Sequence, residues 1–162
     1  MKNKIWYEFV NYKYGDEYLI LYLSRLKTSR KYTNIFTLAF STSGVLGWTF
    51  WKYFPIVSCG LIAVIQIFKL IENQIIPSEK DIEQVVLLRN QYNKYWNQVE
   101  KLWIEYNSNK LDDDRAKKCF YKLRETAIEI EKLDNKLNIQ HLNSLKKKAE
   151  IQTNNYLTQY HL

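Results

Sequence analysis

Glycine, proline, cysteine and histidine are all scarce, at 4, 2, 2 and 2 of 162 residues. So few Gly and Pro exclude a β chain built from many tight turns, and a disordered or collagen-like one. Cys59 and Cys119 fall in different regions and suggest neither a disulfide framework nor a metal site. His141 and His161 are too far apart to hold zinc without carboxylate help. The chain has no Gly-rich phosphate loop, nucleophile elbow, paired-Cys metal motif or HExxH. Its glycines, Gly15, Gly44, Gly47 and Gly60, are too dispersed to cradle a nucleotide. A non-enzyme without cofactor or metal is expected.

Charge is missing from one block. Only Lys52 and Lys69 are charged among the 40 residues 32–71, whereas elsewhere 39 of 122 are, well above a norm of about one in four. The mean hydropathy of -0.42 conceals this division. The 20 residues from Tyr32 to Trp51 carry no charge, enough at about 1.5 Å each to span a hydrocarbon core of about 30 Å. A second run follows from Ile56 to Ile71, and snorkelling of Lys69 lets it continue toward Ile76. Pro55 suits the first turn of that second helix. Trp48, Trp51, Tyr53 and Phe54 cluster at the turn, as interfacial aromatics do. The pattern predicts a two-span membrane hairpin over 32–76; the alternative is a helical hairpin buried in a soluble core.

The basic excess sits beside that hairpin. Residues 1–31 hold seven Lys/Arg and three acids, and residues 72–162 hold 15 and 14. A duplex-DNA binder would concentrate its excess on the soluble part, so no duplex DNA is expected as a partner. Arg25, Lys27, Arg30 and Lys31 precede the first span while the short turn holds only Lys52, which places both termini in the cytoplasm. Glu8, Asp16 and Glu17 interrupt any apolar signal-peptide core.

Within the first span, Asn34, Thr37, Ser41, Gly44 and Trp48 recur at steps of three and four, a stripe of polar and small groups capped by Trp. Such a stripe faces other helices or water rather than lipid. It is the candidate pore lining of an oligomer, and small-residue helix contact is the alternative. Gln66 is a weaker polar candidate in the second span. Neither span contains an acid, so a proton relay or strong cation site is not expected there.

The remaining regions read as helices. Residues 3–29 form an amphipathic basic lead, weak at Gly15, with Tyr18, Leu19, Tyr22, Leu23 and Leu26 on one face. It suits either the inner membrane surface, near lipid headgroups, or a neighbouring helix. After Pro77, Ser78 and Asp81 are spaced for a capping box. An apolar face then runs through Val85, Leu88, Tyr92, Tyr95/Trp96, Val99, Leu102/Trp103 and Tyr106 until Asn107-Ser108-Asn109 breaks it. Asp112, Asp113 and Asp114 open another helix, where acids complement the dipole. Ala116, Phe120, Leu123, Ala127, Ile130 and Leu137 form its near-heptad, interrupted at Asp134. A last helix from about Ile139 uses Leu142, Leu145, Ala149 and Tyr156.

Narrow apolar stripes of this kind form bundles or coiled coils, often between subunits. The expected class is an all-α membrane protein. It comprises an amphipathic basic helix over 1–31, a transmembrane hairpin over 32–76, and a cytoplasmic helical sensor and oligomerisation region over 77–162. In that region Arg89, Lys94 and Lys101 accompany Tyr92, Tyr95, Trp96 and Trp103, and Lys146, Lys147 and Lys148 lie near Tyr156 and Tyr160. Bases beside aromatics can hold phosphates while stacking nucleobases. Arg89, Tyr92, Lys94, Trp96, Lys146, Lys147 and Lys148 are therefore the candidate nucleotide contacts, with an aromatic core beside solvated lysines as the alternative.

The order of parts resembles the SLATT family, two-span effector domains encoded beside bacterial signalling nucleotidyltransferases. The resemblance rests on three features: the basic lead Tyr22-Leu23-Ser24-Arg25-Leu26-Lys27 with Arg30-Lys31-Tyr32, the tight hairpin, and the long helix soon after it. In that helix Leu88-Arg89-Asn90-Gln91-Tyr92 is similar to the family's Arg-x-x-Tyr pattern, and the likeness covers most of residues 1–135 in layout. It implies a pore-forming anti-phage effector in the bacterial inner membrane that depolarises or permeabilises the host. It also implies a nucleotide or oligonucleotide signal made by a separate nucleotidyltransferase. A homo-oligomer, with four copies as the working number, follows for a pore built from one span per subunit. The rival classes are a holin-like lysis protein and a non-conducting membrane-anchored scaffold.

Overall fold

The computed structural model describes residues 1–46, 60, 63–64, 66–67, 70 and 78–160, with the side chains of 39–46 left out. Four helices make up the described chain: α1 (Lys2–Leu46), α2 (Glu79–Asn107), α3 (Asp113–Leu137) and α4 (Asn143–Leu157). A 3-10 turn, Thr158–Tyr160, follows α4, and no strand occurs among the described residues. The class is all-α. No helix among the described residues is long and apolar enough to cross a membrane. The first expected span is described only as far as Leu46, and Trp48, the turn and most of the second run lie outside the described residues.

Two compact units divide the chain: Met1–Leu23 with Glu83–Leu162, and Ser24–Ile82. In the first unit, α1 buries Ile5, Phe9, Tyr12, Asp16, Leu19 and Leu23. Steps of four and three give these residues one face, the spacing by which antiparallel or parallel helices interlock. The face expected to begin at Tyr18 therefore extends back to Ile5, and here the lead is bundle core. Gly15 does not interrupt α1, and the expected boundary between 31 and 32 falls inside it.

Opposite lie Val85, Leu88, Tyr95, Trp96, Val99, Leu102 and Trp103 of α2, all buried as their period predicts. α3 contributes Ala116, Phe120, Ala127 and Ile130, and α4 contributes Leu145, Ala149 and Thr153. Aromatic rings fill one end, where Trp6 meets Trp103 at 4.9 Å and Phe9 meets Tyr160 at 5.7 Å between centroids.

The helix ends have local causes. Ser78 Oγ accepts from the Asp81 amide at 3.2 Å, and Asp81 Oδ2 accepts from the Ser78 amide at 2.9 Å, completing the expected capping box. The Ser78 hydroxyl also donates to Asp81 Oδ2 at 2.6 Å, and this bond, then that of the Ser78 amide, holds the Asp81 carboxyl below its ordinary range. Asp112 caps α3 by accepting from the Arg115 amide at 2.7 Å. Asn138, left-handed at φ 45, ends α3, a conformation Asn tolerates better than most residues. α4 starts at Asn143, four residues later than its sequence suggests, and Leu142 offers no side-chain cap. Instead the Leu142 amide donates to Tyr18 Oη at 2.9 Å, while Tyr18 donates to the Gln140 carbonyl. Tyr18 thus ties the α3–α4 loop to α1.

Candidate functional site

The expected nucleotide contacts separate into two groups. Arg89 Nε donates to Asp16 Oδ1 at 2.8 Å, and Trp96 Nε1 donates to Asp16 Oδ2 at 3.1 Å. Asn93 adds a third donor to Asp16 at 3.3 Å. Asp16 is 1% exposed, so this carboxylate depends on its three partners to offset the loss of water. Tyr92 donates to Asp134 Oδ2 at 2.8 Å. Arg89, Tyr92 and Trp96 are therefore engaged inside the bundle, and a phosphate at Arg89 would have to displace Asp16. Lys94, Lys147 and Lys148 are exposed, and Lys146 is half-buried. The structure brings Tyr92 and Lys146 to one cavity and leaves Lys94 outside it, on a groove between α2 and α3.

That cavity encloses about 430 Å³. α1 supplies Glu8, Tyr12, Tyr14, Gly15 and Tyr18; α2 supplies Tyr92; α3 supplies Arg124, Glu131 and Asp134; His141 and Lys146 complete the wall. Gly15 is required by closeness. A Cβ there would collide with the Tyr92 ring, 2.7 Å from Cδ1, so only glycine lets that ring lie against α1. The Tyr12 and Tyr92 rings sit 5.1 Å apart between centroids.

The electrostatics of this wall are set by acids beside phenols. Glu8 accepts from Tyr95 Oη at 2.9 Å and approaches Arg124 Nε at 3.7 Å. Burial, then the charges of Glu131 and Glu8, push the Tyr12 hydroxyl well above its ordinary range. Burial and the bond to Asp134 do the same to Tyr92, and burial with Glu8 does so to Tyr95. These tyrosines remain protonated donors at neutral pH.

A second buried polar group shows what such surroundings do. Lys13, only 6% exposed, pairs with Glu17 at 2.7 Å. Its ammonium lies 4.4 Å from the Trp96 ring centroid and 4.2 Å from that of Tyr156. Two aromatic faces and one carboxylate replace the water this charge has lost.

Of the expected pore stripe, Asn34, Thr37, Ser41 and Gly44 all lie on α1 at helical register. Asn34 is exposed and Thr37 half-buried. The side chains of Ser41 and Gly44 are not among those described, and Trp48 lies outside the described residues. Around them Tyr32, Ile35, Phe36 and Leu38 are exposed at 68%, 52%, 41% and 67%. Val64, Ile67 and Leu70 reach 63%, 62% and 77%. Among the described residues, no group of three His, Cys, Asp or Glu is placed to hold a metal.

Sequence reasoning passed over Tyr12, Glu131 and the cavity itself. Two signals pointed there: Gly15 within an otherwise good helix, and Asp134 in the middle of a heptad. No family model, curated protein or solved structure matches the chain.

Proposed function

We propose that this chain is a pore-forming membrane effector of the SLATT type, inserted in a bacterial inner membrane with both termini cytoplasmic. A helical hairpin over 32–76 crosses the bilayer, and the helical bundle controls conduction in response to a nucleotide or oligonucleotide made by a separate nucleotidyltransferase. Opening depolarises or permeabilises the host during phage infection. Several copies, four as the working number, contribute their first spans to one pathway.

One observation carries this reading. At about 100° per residue, the exposed Tyr32, Ile35, Phe36 and Leu38 share an arc of about 160° on α1, while Thr33, Asn34, Thr37, Ser41 and Gly44 share the opposite side. Exposed apolar side chains in a stretch of sequence without charge suit contact with lipid. A polar stripe behind them suits contact with sister helices and a water-filled path. Arg25, Lys27 and Lys31 lie within the two turns before Tyr32 on the same helix, where anionic headgroups would meet them, while Arg30 pairs with Glu79 at 2.7 Å. For the signal, Lys146, Lys147 and Lys148 keep their ammonium groups outside the Asp16 network and are the preferred phosphate contacts.

Ion flux from liposomes containing the purified full chain tests the proposal, measured with and without cyclic and linear oligonucleotides. Flux that a nucleotide switches supports the gated effector. Bulky apolar substitutions, Thr37→Phe with Ser41→Phe, should block flux while leaving the oligomer intact. Absence of flux under every condition from folded, oligomeric protein would sink the pore reading in favour of a membrane-anchored scaffold.

A further inference from the structure

We propose that the cavity between α1 and Tyr92, walled by Glu131 and Asp134, is a binding site for an organic ammonium ion. Its volume of about 430 Å³ falls in the range of small-ligand pockets, about 300–1,000 Å³. Three observations select the ligand's chemistry.

Tyr12 comes first. This side chain is 7% exposed and lines the cavity, yet its hydroxyl has no hydrogen-bond partner among the described residues. The hydroxyl oxygen can accept from an N–H donor placed in the cavity, and its ring presents a π face to the same space.

The acids come second. Among the described residues Glu131 and Asp134 have no ion-pair partner, and Asp134 receives only the Tyr92 hydroxyl on one oxygen. Glu8 is the acid of this wall that already has a cation, Arg124. The positive groups facing the cavity are Arg124, which Glu8 engages, and Lys146 and His141 beside the α4 start. Two carboxylates without cations, set among tyrosine rings, favour an ammonium and repel a phosphate at the Tyr12 end. Burial first, and these carboxylates after it, push the Tyr12 and Tyr92 hydroxyls upward.

Third, the protein builds this kind of site elsewhere and fills it from its own chain. Lys13 occupies the space between Trp96 and Tyr156 with Glu17 as counter-charge. The Tyr12–Tyr92 cavity offers two rings and two carboxylates, with Lys146 at its α4 side rather than paired to either acid.

The site does not depend on membrane insertion, and it shares only Lys146 with the residues proposed to meet the nucleotide. Its test is calorimetric titration of the full chain in non-ionic detergent with tetramethylammonium and putrescine, with potassium as the simple-cation control and inorganic phosphate as the anionic probe. The expected result is saturable binding of at least one amine at one site per chain, with no saturable potassium binding. Glu131→Gln, at an exposed position that leaves the fold intact, should weaken it at least tenfold, and Asp134→Asn by a similar factor. Lys146→Gln, which removes a positive group from the wall, should improve amine affinity. Failure of both amines to saturate folded protein would overturn the assignment. So would amine binding indifferent to Glu131→Gln, or displacement of a bound amine by inorganic phosphate.

Discussion

Gly15→Ala sets two opposed effects against each other. Alanine in a helix interior is better than glycine by about 1 kcal/mol, so on propensity alone the variant would be stabilised. The new Cβ, however, would lie 2.7 Å from Tyr92 Cδ1, well inside contact distance. Tyr92 has little room to yield, with its ring against Tyr12 and its hydroxyl bonded to Asp134 at 2.8 Å. Overpacking of this kind costs about 1–3 kcal/mol. Displacing the ring also weakens a hydrogen bond to a charged acceptor, worth about 1.5–3 kcal/mol when fully lost. The net expectation is destabilisation by about 2 kcal/mol. Urea unfolding of the full chain in detergent, followed by far-UV circular dichroism, measures it. The same substitution in a Tyr92→Ala background removes the collision and should stabilise by about 0.5–1 kcal/mol, so the sign reverses across the cycle. Stabilisation by Gly15→Ala in the presence of Tyr92 would refute the close-contact argument.

Removing the Asp16 acceptor should be among the costliest single changes. Asp16→Ala leaves the Arg89, Asn93 and Trp96 donors without a partner, for a loss of about 3–5 kcal/mol by urea titration; a loss under about 1 kcal/mol would contradict the network. Glu100 accepts from Tyr156 Oη at 2.6 Å and from Tyr160 Oη, so Glu100→Ala should cost about 1–2 kcal/mol and speed amide exchange in Asn154–Tyr160 before other segments; uniform exchange changes would count against it. Stability should also fall as pH rises above about 10. Tyr12, Tyr92, Tyr95 and Tyr160 titrate higher in the folded state than the ordinary value, so above that value the unfolded chain releases protons first. Tyr92→Phe should make that alkaline loss shallower, and an unchanged slope would remove Tyr92 from the explanation.

Much of the bundle was legible because its faces obey a period. The α2 face from Val85 to Trp103 and the α3 positions Ala116, Phe120, Ala127 and Ile130 are apolar residues at helical spacing, and burial selects them by that property. The capping box at Ser78 and Asp81 was legible for the same reason, since its chemistry is local. The front of α1 was harder to read because Tyr12 and Asp16 are polar members of the buried stripe, and a periodicity argument passes over them. The start of α4 shifted because Tyr18, 124 residues away in sequence from Leu142, holds the loop in place of a local cap. The cavity could not be read at all. It exists through the meeting of Gly15, Tyr92 and Asp134, three residues whose joint role depends on three helices coming together.

The Asp16 network has a consequence for that meeting. Arg89, Asn93 and Trp96 stand at steps of four and three, so donors from successive turns of α2 converge on one carboxylate. An apolar residue at position 16 would be cheaper to bury, but it would tolerate sliding of α1 along α2. A shift of one turn, about 5.4 Å, separates Asp16 from most of these donors and leaves its charge uncompensated in the core. The network therefore selects one register, as a buried polar residue does in a coiled coil. Gly15 adjoins Asp16, and Tyr92 lies between Arg89 and Asn93 and Trp96 in sequence, so the register that satisfies the carboxylate is the one that places the ring over the glycine. Asp16→Leu should then separate stability from register. Its unfolding free energy would recover much of what Asp16→Ala loses, while amide exchange around Tyr92 and Asp134 would rise as α1 samples neighbouring registers. Equal protection in Asp16→Leu and the parent chain would show that apolar contacts alone set the register.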